Sequence, residues 1–310
     1  MPSPLIKSFL KLQNFKVLPL KKIKSNQGKE IQGYIIACSL LPSDIEDLNN
    51  LDEELLLDEI ISAGFIAQDL GVKIMGLGGE LALAADKKPM IYKHLKTPIT
   101  NGSTFTAWSI FEEIFKTSKQ NKIDLKKANL TIIDPGNAVG SLCARKFSEH
   151  VLKTTLTSGS HEKSQMLKET MTNPIPVGVE IEEDVRKAVE EADIVINTYN
   201  GNTTVLNVAD LKPNCIFCDG SVSKSLFNKA KLRRDIILIE GGMIKLPFSQ
   251  TLGVNLGLPK DLISASIAET MLLALEEKFV NYSLGENINP DKLEDIADIA
   301  VRHGFEVSVA

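Results

Sequence analysis

Four cysteines in 310 residues (Cys38, Cys143, Cys215 and Cys218) are too few for a disulfide framework, and they point to a reducing compartment. The pair Cys215-x-x-Cys218 has no second pair and no histidine beside it. That argues against zinc, and no metal site is expected; such thiols in an apolar strand act as small buried hydrophobes. No window holds 18 consecutive apolar residues, so no membrane span is expected. The opening MPSPLIKSFLKLQNF lacks a long apolar core and a small-residue cleavage site, which gives the expectation of a cytoplasmic protein. A basic surplus is also missing. Lys and Arg number 35 against 40 Asp and Glu, a net charge of −5, which argues against a general nucleic-acid binder. The lysine-rich stretches 7–24 and 224–234 read as solvated faces. Repeats, low-complexity tracts and long linkers are absent.

What is present is the text of an ordinary globular chain, 43% hydrophobic and 24% charged, long enough for two domains with real cores. Residues 31–39 and 72–76 read as strands, and 54–69 as a helix with Leu57, Ile60, Ile61 and Phe65 at helical spacing. A helix over 103–116 is expected to bridge two lobes. From residue 129 the pattern becomes regular βαβ. Strands are expected at 130–133, 154–157, 194–198, 215–218 and 236–239, with helices at 138–151, 161–169 and 183–191. Apolar strands alternating with helices mean a parallel sheet covered on both faces. Two helices, a long amphipathic one over 262–279 and one over 290–303 capped by Asn289, close the chain. The expected fold is therefore α/β in two lobes. An N-terminal α/β substrate lobe (1–102) and a bridging helix (103–128) precede a doubly wound Rossmann-like lobe (129–257), and C-terminal helices (258–310) pack back. The long amphipathic helix is compatible with a homodimer.

The segment 130–141, LTIIDPGNAVGS, carries most information. An apolar run meets a Pro-Gly turn, and a small-residue helix opens at Asn137, the layout in which helix-start N–H groups receive a pyrophosphate. Gly140 and Gly136 sit near glycine positions of that fingerprint, while Asp134 and Asn137 take others. The candidate cofactor loop is Asp134, Gly136, Asn137, Ala138, Val139 and Gly140. A carboxylate about 4 Å from a phosphate costs ~1 kcal/mol in water-like surroundings and ~4 kcal/mol at an effective dielectric near 20. Asp134 therefore either caps the helix in the phosphate's place or points away and leaves room for it. After the second strand no acid stands where a ribose diol would be held. Ser158, Ser160 and Lys163 suit a 2′-phosphate, so NADP (NADPH) is the expected dinucleotide. Thr198, Tyr199, Gly220 and Gly242 follow later strands and would face the same crevice.

Several motifs then occur in order: Gly33-Tyr34-Ile35-Ile36-Ala37-Cys38 with Leu41-Pro42; Leu77-Gly78-Gly79; Thr104-Phe105-Thr106-Ala107-Trp108; Ala268-Glu269-Thr270-Met271-Leu272-Leu273; and Val301-Arg302-His303-Gly304-Phe305. Taken together they resemble the cyanobacterial long-chain acyl-(acyl-carrier-protein) reductases and their relatives, the predicted amino-acid dehydrogenases, over nearly the whole chain. The resemblance implies a two-lobed fold of the shikimate-dehydrogenase kind and a nicotinamide cofactor. It also implies reduction of a fatty acyl thioester, presented on an acyl carrier protein, through a cysteine thioester. The chain departs from that pattern at four places. Ser266 stands where the nucleophilic cysteine would be, three residues before Glu269. The glycine fingerprint is thinned, Gly159 replaces an arginine and Phe105 a histidine. A serine is a far weaker nucleophile than a cysteine without an adjacent base.

Three readings follow. The first is an NADP-linked oxidoreductase acting on a carbonyl, acyl or amino-acid-like substrate, with Ser103, Thr104, Thr106 and Ser266 orienting it and Cys38 as a candidate thiol. The second keeps acyl-thioester reduction, with Cys38 or Ser266 taking the acyl group. The third is a non-redox relative that no longer binds a dinucleotide and holds an acyl ligand or a protein partner.

Overall fold

A computed structural model of the chain describes residues 15–37, 53–79, 81–83, 95–158, 161–171, 178–200, 206–285 and 288–308. The chain forms two compact units. One comprises 1–102, 244–285 and 298–306; the other comprises 103–243, 286–297 and 307–310. Both units are thus built from more than one stretch of chain.

In the first unit β1 (Lys16–Pro19) pairs antiparallel with β4 (Tyr34–Ala37), and β2 (Ile23–Lys24) with β3 (Glu30–Ile31). The single strand expected over 31–39 is thus two, interrupted at Gln32 and Gly33. Helix α1 (Glu53–Asp69) buries Ile60, Ala63 and Ala67. Of the expected stripe only Ile60 is buried, Leu57 and Ile61 are half-buried and Phe65 is exposed, so the inward face is turned from the one the spacing gives. The helix stops before Gly71 at φ 73°. Strands β5 (Met75–Gly76) and β6 (Ile99–Thr100) run parallel, and their core joins Ile60, Ala67, Met75, Leu77, Leu95 and Ile99.

The second unit opens with α2 (Ser103–Gln120). Then follow β7 (Asn129–Ile133), α3 (Ala138–Ser148), β8 (Lys153–Thr157), α4 (His161–Thr170), β9 (Val179–Ile181), α5 (Val185–Glu190), β10 (Ile194–Asn197), β11 (Ile216–Asp219), α6 (Ser225–Ala230) and β12 (Ile237–Glu240). The six strands form one parallel sheet of order β12-β11-β10-β7-β8-β9, and β9 is a strand that periodicity did not announce. Taking β7 as the first strand, this is the 3-2-1-4-5-6 arrangement of a doubly wound Rossmann-like fold. Strand alternation feeds two cores. Leu130, Ile132, Ile194, Ile196, Ile216 and Cys218 face one layer with Ile110, Ile114 and Phe147. Ile133, Val195, Cys215 and Phe217 face the other with Val189, Leu226 and Ala230.

Further along the chain come β13 (Met243–Lys245), β14 (Leu262–Ser264), α7 (Ala265–Leu275), α8 (Asp291–His303) and β15 (Glu306–Val307), with the three strands in the order β14-β13-β15. The long helix expected over 262–279 is corrected here. Ser264 is an extended N-cap whose hydroxyl accepts from the Ile267 N–H at 3.4 Å, so residues 262–264 remain strand. The helix stops at Leu275, two residues before Glu277 at φ 53°. Its Ala265, Ala268, Met271, Leu272, Leu273 and Leu275 are buried within this chain. Helix α8 starts where Asn289 was expected to cap it, its Oδ1 accepting from the Asp291 N–H at 3.0 Å. No helix among the described residues is long and apolar enough to cross a membrane.

Candidate functional site

The register of the large sheet aligns the strand ends. Ile133 of β7 lies opposite Thr157 of β8 and Asn197 of β10; Asn197 lies opposite Asp219, and Asp219 opposite Glu240. The order reverses between β7 and β10, and in such sheets the crevice beyond that pair of strand ends is where ligands bind.

Asp134 follows β7 with φ 60°, the left-handed region in which a glycine would be unstrained. It does not cap the next helix. Asn137 does, with φ −91° and ψ 168° and its Oδ1 accepting from the Gly140 N–H at 2.9 Å. The Asn137 amide nitrogen reaches back to Asp134 O at 2.9 Å, Thr198 O at 2.9 Å, Thr198 Oγ1 at 3.2 Å and the Asp134 carboxylate at 3.3 Å. The Thr198 hydroxyl donates to the carbonyls of Ile133 (2.9 Å) or Asp134 (2.8 Å). One asparagine thus ties the turn, the helix start and the end of β10 together. It satisfies only one of the first N–H groups of α3. Those of Ala138 and Val139 have no intrahelical acceptor, and none among the described residues takes them. They are the donors an anion would find.

At Gly140 the helix lies tight against the strand ends. A Cβ there would lie 2.7 Å from Asp134 O and Thr198 Oγ1 and 2.9 Å from Pro135 Cα, two of the three being backbone atoms. Gly140→Ala is accordingly expected to lose about 1–3 kcal/mol of stability through overpacking. It should also weaken any ligand held at the α3 start, because the helix must back away. Denaturant unfolding of the two proteins checks it; an unchanged midpoint would contradict the close packing.

Beyond β10 and β11, most of the polar groups serve one another. Asn197 Nδ2 donates to Asp219 Oδ1 at 2.9 Å, which also accepts from Ser221 N at 3.0 Å, while Asp219 Oδ2 accepts from Phe227 N at 2.9 Å. Asn200 Nδ2 donates to Thr198 O at 2.9 Å and its Oδ1 accepts from Val222 N at 2.7 Å. Tyr199 N is 3.3 Å from Asn197 Oδ1. Gly220 and Gly241 face Ile110 of α2, at 2.6 and 2.9 Å from a notional Cβ, so their lack of a side chain lets α2 seat over the strand ends. Gly242, at φ 87°, lies beside the Thr106 methyl.

The remaining predicted residues are distributed as follows. Ser103 and Thr104 are buried in the first turn of α2, with Thr106 half-buried. Ser158 follows β8, its hydroxyl 3.0 Å from that of Ser164. Ser160, Cys38 and the Lys163 side chain lie outside the described residues. Ser266 sits in the first turn of α7, where its Cα would be 2.2 Å from a Cβ on Gly102 (φ 79°). Its hydroxyl is 2.9 Å from that of Ser264, a partner that cannot act as a base at neutral pH. The other three cysteines are buried in the sheet unit. Burial pushes the Cys143 thiol up to about 12 and Cys215 up to about 11. Burial, with the Glu113 charge second, raises Cys218 well above its ordinary value. Cys215 and Cys218 join opposite core layers, so their sulfurs cannot share one metal ion. The 224–234 stretch is not simply a solvated face. Lys224 donates to Asp219 O (2.9 Å) and Gly241 O (3.2 Å), and Arg233 donates to Val208 O and pairs with Asp235.

No protein-family model matches the chain. Aminotransferase PigE of Serratia sp. (strain ATCC 39006) is 22% identical over 295 residues, which cover 92% of this chain and 33% of that protein. The chain thus spans about a third of the length of that relative. Among solved structures, L-tryptophan dehydrogenase from Nostoc punctiforme is similar over 79% of this chain and 64% of its own, at 11% identity and TM-score 0.43. Shikimate 5-dehydrogenase from Listeria monocytogenes in complex with shikimate and NAD matches 61% of this chain and 62% of its own, at 12% identity and TM-score 0.35. Quinate dehydrogenase from Corynebacterium glutamicum in complex with NAD matches 45% and 51%, at 14% identity and TM-score 0.35. The six-stranded parallel sheet puts this chain in the Rossmann-like α/β class to which such dehydrogenases belong.

Proposed function

We propose that the chain is a nicotinamide-dinucleotide-dependent oxidoreductase that uses NADPH on a carbonyl, acyl or amino-acid-like substrate. One observation carries the reading. At the point where strand order reverses, a left-handed turn and a glycine with no room for a Cβ bring the α3 start against the strand ends, with the Ala138 and Val139 N–H groups left for an anion. Those two amides would hold the pyrophosphate. The 2′-phosphate falls to Ser158, Ser160 and Lys163, since β8 ends in Thr157 and the next four residues include no acid. The cofactor, when bound, supplies the hydride. The protein's part is to hold a polarised carbonyl against it, for which Ser103, Thr104 and Thr106 offer hydroxyls in the first turn of α2. Ser266 is assigned an orienting role, because a hydroxyl paired with a second hydroxyl is no activated nucleophile.

The test is titration with NADPH and with NADH, followed by thermal shift and by the fluorescence of the single tryptophan, Trp108. At 1 mM nucleotide, a dissociation constant of ~10 µM raises stability by about 2.7 kcal/mol. NADPH is expected to give the larger shift. No shift with either nucleotide would overturn the redox reading. It would favour a relative that binds an acyl ligand or a partner without a dinucleotide, a reading supported by Asn137 serving as the protein's own cap on α3.

A further inference from the structure

Glu113 lies on the inward face of α2, between Ile110 and Ile114, and is 1% exposed. Neither of its carboxyl oxygens has a hydrogen-bond partner among the described residues. An ionised carboxylate in such a place is costly, and burial drives its acid strength down, holding the carboxyl well above its ordinary range. Four neighbours oppose or add to that. The N–H groups of Met243 and Gly242 point toward it without reaching hydrogen-bond geometry, and the Lys224 ammonium favours its charge. Glu240, at the end of β12, disfavours it. Cys218 of β11 is a further titratable group that Glu113 acts on.

Lys224 is constrained as well. Its backbone is left-handed at φ 54°, and its ammonium bridges two carbonyls, Asp219 O after β11 and Gly241 O after β12. It therefore fastens two neighbouring strand ends together while its charge acts on a buried acid that has no hydrogen-bond partner among the described residues. Glu113 has two alternatives. As a neutral acid it leaves Lys224 on the carbonyls. As an anion it must acquire donors, and the groups that already favour its charge are that same ammonium and the amides of Gly242 and Met243.

We propose that Glu113 and Lys224 form a proton-operated latch on the ends of β11 and β12. When Glu113 gives its proton to solvent, its carboxylate draws the Lys224 ammonium off the Asp219 and Gly241 carbonyls. It also takes up the Gly242 and Met243 N–H groups, and the turn after β12 changes position. This inference does not depend on the oxidoreductase reading, since every group in it belongs to the chain itself.

The test uses the full-length protein without ligand, comparing wild type with Glu113→Gln, which mimics the neutral acid, and with Lys224→Met. The folded protein keeps a proton that the unfolded chain releases near the ordinary glutamate value of about 4.5. The wild-type unfolding constant relative to Glu113→Gln should therefore rise about tenfold per pH unit above that value, then level off once the folded acid ionises. At the pH of levelling, hydrogen-exchange protection of the Gly242 and Met243 amides should change at least about tenfold in wild type. It should stay constant in Glu113→Gln, and the change should be lost or much reduced in Lys224→Met. A wild-type to Glu113→Gln ratio that does not vary with pH would overturn the proposal. So would levelling without any change at the two amides, which would leave Glu113 a buried acid and nothing more.

Discussion

Asp134→Gly is expected to tighten NADPH binding, by between about fivefold and several hundredfold. The carboxylate stands beside the helix start, with one oxygen 3.3 Å from the Asn137 amide nitrogen, so an anion at the Ala138 and Val139 amides meets its negative charge. At about 4 Å the repulsion is ~1 kcal/mol in water-like surroundings and ~4 kcal/mol at an effective dielectric near 20. Each 1.4 kcal/mol is a factor of about ten in affinity. Asp134 is half-buried, which places the effect inside that interval. Glycine also accepts φ 60° without strain. Asp134→Ala separates the two contributions: it removes the same charge but keeps a Cβ in a left-handed turn, so it should gain affinity while losing stability. Calorimetric titration of the three proteins decides the matter. If Asp134→Gly binds no more tightly than the parent chain, the pyrophosphate does not rest on the first turn of α3.

The second large effect belongs to Asp219. Its side chain is fully buried at the end of β11 and accepts from Asn197 Nδ2, Ser221 N and Phe227 N. Asp219→Ala would leave three buried donors without acceptors, at about 1–3 kcal/mol for each that no water reaches. A total loss of about 3–5 kcal/mol is expected, the range seen when one partner of a buried charged network is removed. Asp219→Asn retains one oxygen and turns an N–H₂ toward a donor, so it should fall between the two. Urea unfolding followed by circular dichroism measures all three; a loss under about 1 kcal/mol for Asp219→Ala would mean that the network contributes little.

The parallel sheet was legible because its strands are near-continuous apolar runs, such as Ile194-Val195-Ile196, separated by helical spacing. Much shorter strands were not. β9 has three residues, and β14 was absorbed into the helical period that follows it, since only the Ser264 cap marks the boundary. In the site, the cluster of Asp134, Asn137, Gly140 and Thr198 was visible as residues placed after strands. That Asn137 would be the cap was not visible, because it stands where a glycine was sought. Asn197 and Asp219, which stand just before the expected crevice residues Thr198 and Gly220, satisfy each other and nearby backbone. Glu113 was hidden in Phe111-Glu112-Glu113-Ile114, which reads as an ordinary charged helix turn. The overlooked signal was its spacing, three residues after Ile110 and four before Thr117, both buried. Polar partnership is decided by three-dimensional contact, which one-dimensional spacing encodes only indirectly.

Asn137 occupies its own helix start with a side chain that leaves no slack in the bend. A polypeptide built this way owes none of its shape at that point to a guest molecule. An anion arriving there would add to an architecture that the asparagine already completes.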